Sequence, residues 1–476
     1  MMSLRQSPKN RFLTASPGKI FAATAFPMIA IMVMNGMLGI IDAVFLGHFV
    51  GAAAMAAVGM AFPVLMLTIA LSTLVSGGMS SLLARQLGAD DRNAANATFA
   101  SAHGLALTTA SALIVIFCAG GWAFALHIAG TDGPVAEMLW IFLAITIFGT
   151  PVQFLLGIHA DAWRNEGQAG LMALMSFGVT LINILLNYIL VVVLELGVAG
   201  SATGTVLAQT LGLVLLAGLR PFLGGVMPLN RLRRNPWTSS WRRIVALGAP
   251  VSLGFIGTAL SAASVVLALR LAGATDHATT FAAYGIVTRI FGFAFLPIMA
   301  IAMAMQSIVG NNVGARLYSR SDAVLRIAAA TTLLYCLAVE VLLLGQGTVV
   351  GAAFVADPDV IGEVGRLLRP MAAVYLFSGP VLVLGLYFQA IGQPARAALL
   401  TMVKPLILLP VLVTIAAAML GADAIWFAFP LADGVAAIIA TLILADALKA
   451  RGNAGIGLKA VESARKISAE RTRRRR

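Results

Sequence analysis

Charged side chains are scarce in this sequence. Only 11% of its 476 residues are Asp, Glu, Lys or Arg, whereas 60% are hydrophobic. A soluble domain carries about 25% charged residues, because its surface faces water. The deficit excludes a water-soluble surface, and in lipid a chain must satisfy its own backbone hydrogen bonds. We therefore predict an all-α polytopic membrane protein.

Cysteine, histidine and catalytic motifs are also scarce. Cys118 and Cys336 lie in separate apolar runs, and the five histidines lack the spacing of zinc ligands. Glycine-rich phosphate loops and catalytic triads are absent, which disfavours an ATP-driven pump. A membrane-embedded transferase would need acidic metal-binding clusters, and Asp357 and Asp359 have no partner cluster. We expect no enzymatic activity and no cofactor.

A cleavable signal is not evident at the N-terminus. Residues 1–19 are polar and basic, and the apolar segment after them lacks a small-residue cleavage pattern. That segment is also too long for the core of a signal peptide. We interpret it as a retained first membrane span, preceded by a cytoplasmic segment.

Long apolar runs, by contrast, are abundant. A helix needs about 20 apolar residues to cross a bilayer, and this criterion predicts about twelve spans. Their approximate bounds are 20–46, 53–83, 98–121, 136–158, 170–193, 198–219, 246–270, 280–308, 325–348, 367–390, 395–419 and 425–447.

Basic residues are concentrated in alternate connections. The net charge of +13 could indicate nucleic-acid binding, but the Lys and Arg residues lie in particular loops and in the tail. Those after even-numbered spans include Arg85, Arg92, Arg164, Arg220, Arg231, Arg233, Arg234, Arg316, Arg320 and Arg396. The positive-inside tendency then predicts cytoplasmic termini, and we expect no nucleic-acid partner.

One acid, Asp42, interrupts the apolar stretch 26–58. A carboxylate at the centre of a bilayer costs about 2.5–3.5 kcal/mol on insertion scales and usually marks an ion or substrate pathway. We therefore predict that Asp42 couples an ion to transport.

An internal repeat divides the chain into two lobes. The pairs Gly59 and Gly285, Gly88 and Gly314, Gln168 and Gln393, and Pro27 and Pro250 lie 226, 226, 225 and 223 positions apart. We predict six-helix lobes at 20–219 and 246–448, a basic cytoplasmic linker at 220–245 and a basic cytoplasmic tail at 449–476. Six spans per repeat relate the lobes by a pseudo-two-fold axis along the membrane normal, with substrate between them.

Three stretches resemble a known family. They are 27–63, which contains Asp42 and the run DAVFLG, then 306–315 (QSIVGNNVGA) and 429–433 (FPLAD). In order and spacing they resemble the multidrug and toxic compound extrusion (MATE) transporters over essentially the whole chain, and the DinF-like branch in particular. The resemblance implies a secondary antiporter that exports amphipathic or cationic compounds in exchange for H⁺ or Na⁺, by alternating access between two lobes.

The resemblance also implies a cation-coupling site in the first lobe. When the motifs are matched, the residues of this site correspond to Asp42, Asn183, Asn187 and Thr205. Asn187 stands where relatives of this branch have Asp. Asn183 and Asn187 are four residues apart and share a helix face. Their oxygens could hold Na⁺, or Asp42 could carry a proton. Because one acid is missing, we favour H⁺ and expect Asp42 to be the only carboxylate deep in the first-lobe spans.

Further expectations concern Pro27 and the second lobe. The resemblance implies that Pro27 bends the first span on protonation. No glutamate lies within 250–263, so a seventh-span cation site is not expected. Five polar residues inside second-half spans are predicted to form an internal network: Arg289, Gln306, Glu340, Lys404 and Asp433.

The alternative interpretation is a flippase for lipid-linked oligosaccharides, which has a related architecture. Such a protein favours a strongly cationic central cavity, whereas here only Arg289 and Lys404 lie clearly inside spans. We expect a monomer in the cell inner membrane, with the bilayer and small molecules as its partners.

Overall fold

The computed structural model describes residues 10–130, 133–272, 277–449 and 455–458. The predicted tail 449–476 and the first nine residues of the N-terminal segment therefore lie almost wholly outside the described residues. In the first half the helices are α1 (Arg11–Thr14), α2 (Pro17–Phe45), α3 (Ala52–Gly88), α4 (Arg92–Ala129), α5 (Gly133–Phe148), α6 (Thr150–Asn165), α7 (Ala169–Asn187) and α8 (Gly197–Gly218).

The second half repeats this all-helical pattern, and the described residues contain no β-strand. Its helices are α9 (Trp241–Leu271), α10 (His277–Gly314), α11 (Tyr318–Ala352), α12 (Pro358–Ala372), α13 (Ser378–Ala390), α14 (Pro394–Thr401), α15 (Leu409–Leu420) and α16 (Ala428–Lys449). α9 begins inside the predicted linker, which also contains a 3₁₀ turn at Leu229–Arg234.

The number of spans agrees with the prediction of about twelve. Nine helices of the described chain are long and apolar enough to cross a membrane. Three more spans are bent pairs: α5 with α6 at 44°, α12 with the segment Tyr375–Ala390 at 55°, and α14 with Lys404–Leu420 at 43°. Several helices begin at a proline, as in Pro17, Pro358 and Pro394, where the missing N–H would have no helical partner.

The backbone preserves the internal repeat. Gly167 and Gly392, which precede the paired glutamines, both have φ of +85°, a conformation that glycine adopts without strain. Pro27 lies inside α2 and Pro250 inside α9. The two halves therefore share their turns as well as their spans.

The two halves pack tightly at one end of the molecule, where α3 and α10 end. A Cβ on Gly88 would lie 1.9 Å from the backbone oxygen of Asn311, and a Cβ on Gly314 would lie 2.0 Å from that of Arg85. Such backbone contact is possible only at glycine. Side-chain hydrogen bonds between the halves in the described chain also lie here, among them Asn10–Asn311, Ser81–Gln389, Arg164–Ser307, Asn311–Asn165 and Arg320 to Phe12 and Ala15. We call this the closed end.

Away from the closed end, a space opens between α2 and α10. The side chains of Phe293 and Leu296 on α10 approach Gly36 of α2, within 3.1 and 2.5 Å of where its Cβ would be. One helical turn further from the closed end, Ile40 on α2 is 46% exposed and Arg289 on α10 is also exposed. We call the space beyond Gly36 the cleft.

Candidate functional site

Asp42 lies where regular helix gives way to a wider turn. α2 ends at Phe45 and continues as a π-helical turn, Leu46–Val50. α7 does the same directly after Asn187, with a π-helical segment at Tyr188–Val193. π-Helical turns inside helices are frequent at functional sites, because they shift side chains out of the regular register. Asp42 and Asn187, two of the four predicted coupling residues, therefore occupy the last regular turn before such a segment.

The structure brings the four predicted coupling residues together in one hydrogen-bonded chain. Asn187 Nδ2 donates to Asp42 Oδ1 at 2.5 Å and to Asn183 Oδ1 at 3.2 Å. Asn183 Nδ2 then donates to Thr205 Oγ1 at 3.3 Å. Asn183 and Asn187 are almost fully buried, and Asp42 is half-buried. The chain links α2, α7 and α8, and it leaves the Asp42 carboxylate at the edge of the buried cluster.

The orientation of the Asn187 amide bears on which cation this site accepts. Its Nδ2 faces Asp42 and Asn183, whereas its Oδ1 is buried and has no hydrogen-bond partner in the described chain. Na⁺ is a hard cation and prefers oxygen ligands, so binding it between Asp42 and Asn183 would require this amide to turn over. A proton on the second carboxyl oxygen of Asp42 leaves the Asn187 bond in place. The four residues carry oxygens that could bind Na⁺, and the Asp42 carboxylate could instead bind a proton.

Pro27 lies far from this site. Fifteen positions separate it from Asp42 on one continuous helix, which at 1.5 Å per residue is about 22 Å. The neighbouring Met28 is buried in a core that also contains Met305 and Ile308 of the second half. Bending of α2 at Pro27 remains a prediction, and it would act near the closed end rather than at Asp42.

The predicted second-lobe network is divided into separate contacts. Lys404 Nζ and Ser378 Oγ both donate to Asp433 Oδ1, the latter at 2.9 Å. Glu340 accepts from the backbone N–H groups of Val374 and Leu376 at 3.2 and 2.7 Å. The Asp433 bonds join α13 and α16 to the π-helical turn Lys404–Leu408, whereas the Glu340 bonds join α11 to the segment before α13.

Two members of that predicted network have other surroundings. Gln306 Nε2 donates to Gln389 Oε1 at 2.8 Å, within the closed end. Arg289 is exposed and forms no ion pair or hydrogen bond with any described residue. The described contacts of these residues therefore do not form the expected single network, and Arg289 takes no part in them.

Two arginines interpreted as loop charges are in fact buried. Arg164 NH1 pairs with Asp161 Oδ1 at 2.6 Å, and its other nitrogens donate to Ser80 and Ser307 at 2.9 Å. Asp161 is 5% exposed, so Asp42 is not the only carboxylate within the first-lobe spans. The i, i+3 spacing of Asp161 and Arg164 in the sequence was the signal that could have identified this pair.

Arg220 is the second buried arginine. It pairs with Glu166 at 2.9 Å and stacks over the rings of Phe99 and Trp163. Burial raises the pKa of the Glu166 carboxyl group, and the guanidinium beside it opposes that rise. Loop position alone did not reveal this burial, because the turn after α8 folds back onto α6.

A buried histidine pair adjoins Arg220. Arg220 Nε donates to His159 Nδ1 at 3.3 Å, so the proton of His159 is on Nε2. His103 Nδ1 lies 2.8 Å from the Phe99 carbonyl and must donate to it, which leaves His103 Nε2 to accept from His159 at 3.3 Å. Both rings are therefore neutral and fully hydrogen-bonded. This cluster joins α4, α6 and the linker, and the histidine spacing in the sequence did not indicate it.

Comparison with known proteins identifies the family. The model of the family described as MatE matches residues 27–189 and again residues 250–414. The chain belongs to the MatE family. The two matches begin at Pro27 and Pro250, the proline pair of the internal repeat, and together they cover more than half of the chain.

Individual MatE relatives match over most of their length. The chain is 25% identical over 435 residues to "Multidrug and toxin extrusion protein 1" of Xenopus tropicalis, covering 88% of this chain and 72% of that protein. It is 23% identical to "Multidrug export protein MepA" of Staphylococcus saprophyticus, covering 88% and 91%.

A solved structure supports the two-lobe fold. The structure described as the "Outward-facing conformation of a multidrug resistance MATE family transporter of the MOP superfamily" superposes with a TM-score of 0.83 at 22% identity. It covers 92% of this chain and 97% of that one. The predicted fold, a twelve-span membrane protein of two lobes, is thereby confirmed.

Proposed function

We propose that this MatE protein is a secondary multidrug efflux antiporter that exports amphipathic organic compounds, including cationic ones, in exchange for H⁺. The observation that carries this proposal is the bonded chain from Asp42 through Asn187 and Asn183 to Thr205. It places one half-buried carboxylate among neutral amides. Gain or loss of a proton there changes the charge of the first lobe within the membrane.

The donors around Asp42 support the proposal of H⁺ over Na⁺. Its neighbour Asn187 presents an amide N–H, and no second carboxylate joins the cluster in the described chain. A metal cation between these groups would meet a donor where it needs an oxygen. Na⁺ is the second candidate and would use the same four residues after the Asn187 amide turns over.

Alternating access is supported by the closed end and the cleft. The halves touch where Gly88 and Gly314 allow backbone contact, and they separate beyond Gly36. Transport would require the closed end to part while the cleft closes, with the two lobes moving as units. Both curated relatives are named for multidrug extrusion or export, which favours efflux over the flippase that the sequence left as the alternative.

The basic connections support a matching orientation. We place the protein as a monomer in the cell inner membrane, with the closed end and both termini on the cytoplasmic side. Exposed arginines near this end, such as Arg92 and Arg316, agree with that orientation.

The decisive experiment compares two gradients in proteoliposomes. Export of a fluorescent amphipath is measured under a pH gradient alone and under a Na⁺ gradient alone, for wild type, Asp42→Asn and Glu137→Gln. Glu137 is an exposed acid of the same half with no bond to the cluster, so it provides the matched control.

We expect the pH gradient to drive wild-type export and the Asp42→Asn variant to lose at least tenfold of that rate, because its side chain cannot exchange a proton. Glu137→Gln should retain the wild-type rate. Gradient-driven export that survives in Asp42→Asn would refute the role of Asp42, and export driven by Na⁺ alone would refute H⁺ coupling.

A further inference from the structure

Arg289 is an exposed cation in the middle of a membrane-spanning helix, α10. The buried or half-buried cations Arg164 and Lys404 pair with acids, Asp161 and Asp433, whereas Arg289 lies twelve residues inside α10, away from both of its ends. No acid of the described chain lies within ion-pair distance of Arg289. An unpaired charge facing hydrocarbon is costly, and such residues normally face a water-filled cavity or the interior of the bundle.

Helix geometry directs Arg289 into the cleft. Phe293 and Leu296 lie four and seven residues after it, so the three share one face of α10. Phe293 and Leu296 contact α2 at Gly36. Arg289 lies one turn further from the closed end on that same face, and its side chain is exposed. On α2 at this depth, a Cβ on Gly39 would meet no atom within 4 Å.

Asp42 lies at a similar depth on α2, on the side that faces α7. α2 begins at the closed end and α10 ends there. Distances from the closed end can be compared by counting from the contact between Gly36 and Phe293. Asp42 lies six residues beyond it on α2, about 9 Å, and Arg289 lies four residues beyond it on α10, about 6 Å. Asp42 is held by Asn187 within the first lobe, so its carboxylate is engaged and the guanidinium of Arg289 remains available.

We propose that Arg289 recognises an acidic group on the transported compound. A guanidinium forms paired hydrogen bonds with a carboxylate or a phosphate, and it keeps its charge at any physiological pH. The preferred substrates are then amphipaths with a carboxylate or phosphate at one end, zwitterions included. Purely cationic compounds bind less tightly, because Arg289 repels them and has nothing to bond.

The inference rests on the export function proposed above, so binding and transport are measured separately. The probes are rhodamine 6G, a cationic ethyl ester, and rhodamine 19, its free acid, which differ only in whether the carboxyl group is esterified. Dissociation constants are measured by fluorescence anisotropy with purified wild type, Arg289→Ala, Arg289→Lys and the control Arg326→Ala. Arg326 is exposed on α11 and lies outside the cleft.

We expect wild type to bind rhodamine 19 more tightly than rhodamine 6G. Arg289→Ala should raise the Kd for rhodamine 19 about tenfold and leave that for rhodamine 6G unchanged or lower, because only the acid loses a partner. Arg289→Lys should recover part of the affinity, since it keeps the charge but not the paired geometry. Arg326→Ala should match wild type.

Equal changes for both dyes in a folded Arg289→Ala variant, or no change for either, would overturn the proposal. If Arg289→Ala does not fold, the same comparison is made with Arg289→Lys, where selective weakening of rhodamine 19 is required. Binding that follows the prediction while neither dye is transported would instead contradict the export function and leave anion recognition intact.

A third arm identifies the source of the acid. Rhodamine 19 binding is repeated in nanodiscs of phosphatidylcholine alone and with phosphatidylglycerol added. Competition by phosphatidylglycerol in wild type, absent in Arg289→Ala, would identify a lipid phosphate as the natural anion. Binding indifferent to phosphatidylglycerol in wild type would exclude this lipid phosphate as the anion and favour a soluble organic acid.

Discussion

Arg164 is a fully buried, paired arginine at the closed end. It is fully buried, pairs with Asp161 at 2.6 Å and donates to Ser80 and Ser307. Removing one partner of a buried pair leaves the other charge uncompensated, which typically costs about 3–5 kcal/mol. We expect Arg164→Ala to lower the thermal unfolding midpoint of the purified protein by several degrees.

The control for this prediction is Arg92→Ala. Arg92 and Asp90 are 51% and 86% exposed, and pairs this exposed contribute about 1 kcal/mol or less. The double variant Asp161→Ala with Arg164→Ala should lose less stability than Arg164→Ala alone, because no unpaired charge remains. A midpoint for Arg164→Ala equal to that of Arg92→Ala would contradict the buried-pair interpretation.

For individual residues, the sequence predicted a role only where a residue type was unusual for its surroundings. Asp42 is an acid in an apolar run, so its importance could be predicted from composition alone. Its partners Asn183, Asn187 and Thr205 came from family resemblance, since bonds spanning up to 145 positions leave no local pattern. Arg164 and Arg220 were predicted to be loop charges but are buried. The sequence did not predict this, because side-chain burial depends on the packing of neighbouring helices.

Among the helices, α3 and α10 carry the contact that closes one end of the molecule. A Cβ on Gly314 would lie 2.0 Å from the backbone oxygen of Arg85, too close for the helices to remain in place. Overpacking of this kind typically costs about 1–3 kcal/mol. Gly314→Ala should therefore shift the population towards states in which the closed end has parted.

The measurement for Gly314→Ala is thiol accessibility. Ser81 lies at the closed end and is fully buried, so a Ser81→Cys reporter in a background without Cys118 and Cys336 reacts with maleimide only when the end opens. We expect about tenfold faster labelling in Gly314→Ala. Gly59→Ala on α3, where the added Cβ meets nothing within 4 Å, should label at the parental rate, and equal rates for both would refute the contact.

The elements themselves were more predictable than their shapes. Twelve apolar runs gave twelve spans, because hydrophobic length is a local property of the chain. The bends at 44°, 55° and 43° and the π-helical turns after Phe45 and Asn187 were not predicted. These bends and turns depend on how each helix packs against its neighbours, which the periodicity of hydrophobic residues does not predict.

The whole molecule is tied together at the closed end by its N-terminal segment, residues 10–16. Asn10 Nδ2 donates to Asn311 Oδ1 at 2.8 Å, and Arg320 NH2 donates to the carbonyls of Phe12 and Ala15. The Phe12 ring packs beside Gly167 of the first half. This short segment therefore contacts both halves, and opening the closed end must disturb it.

Loss of Arg320 should weaken this attachment. We expect Arg320→Ala to label the Ser81→Cys reporter about tenfold faster, which corresponds to about 1.4 kcal/mol, because the charged donor to two carbonyls and to Asn312 is gone. Arg326→Ala removes the same charge from the same helix without touching the segment. Labelling no faster in Arg320→Ala than in Arg326→Ala would show that the segment does not hold the end closed.

The length of α2 has a mechanical consequence. Its helix is unbroken from Pro27 to Asp42, so the intervening turns act as a rigid lever about 22 Å long. Helix kinks sharper than about 20° occur mainly at features such as proline, and a swing of about 20° at Pro27 would carry the far end through about 8 Å. The Asn187–Asp42 bond would break early in such a swing, so the carboxylate would meet a different environment without any change in its own side chain. A hinge at the closed end can in this way set the proton affinity of a group on the other side of the membrane core.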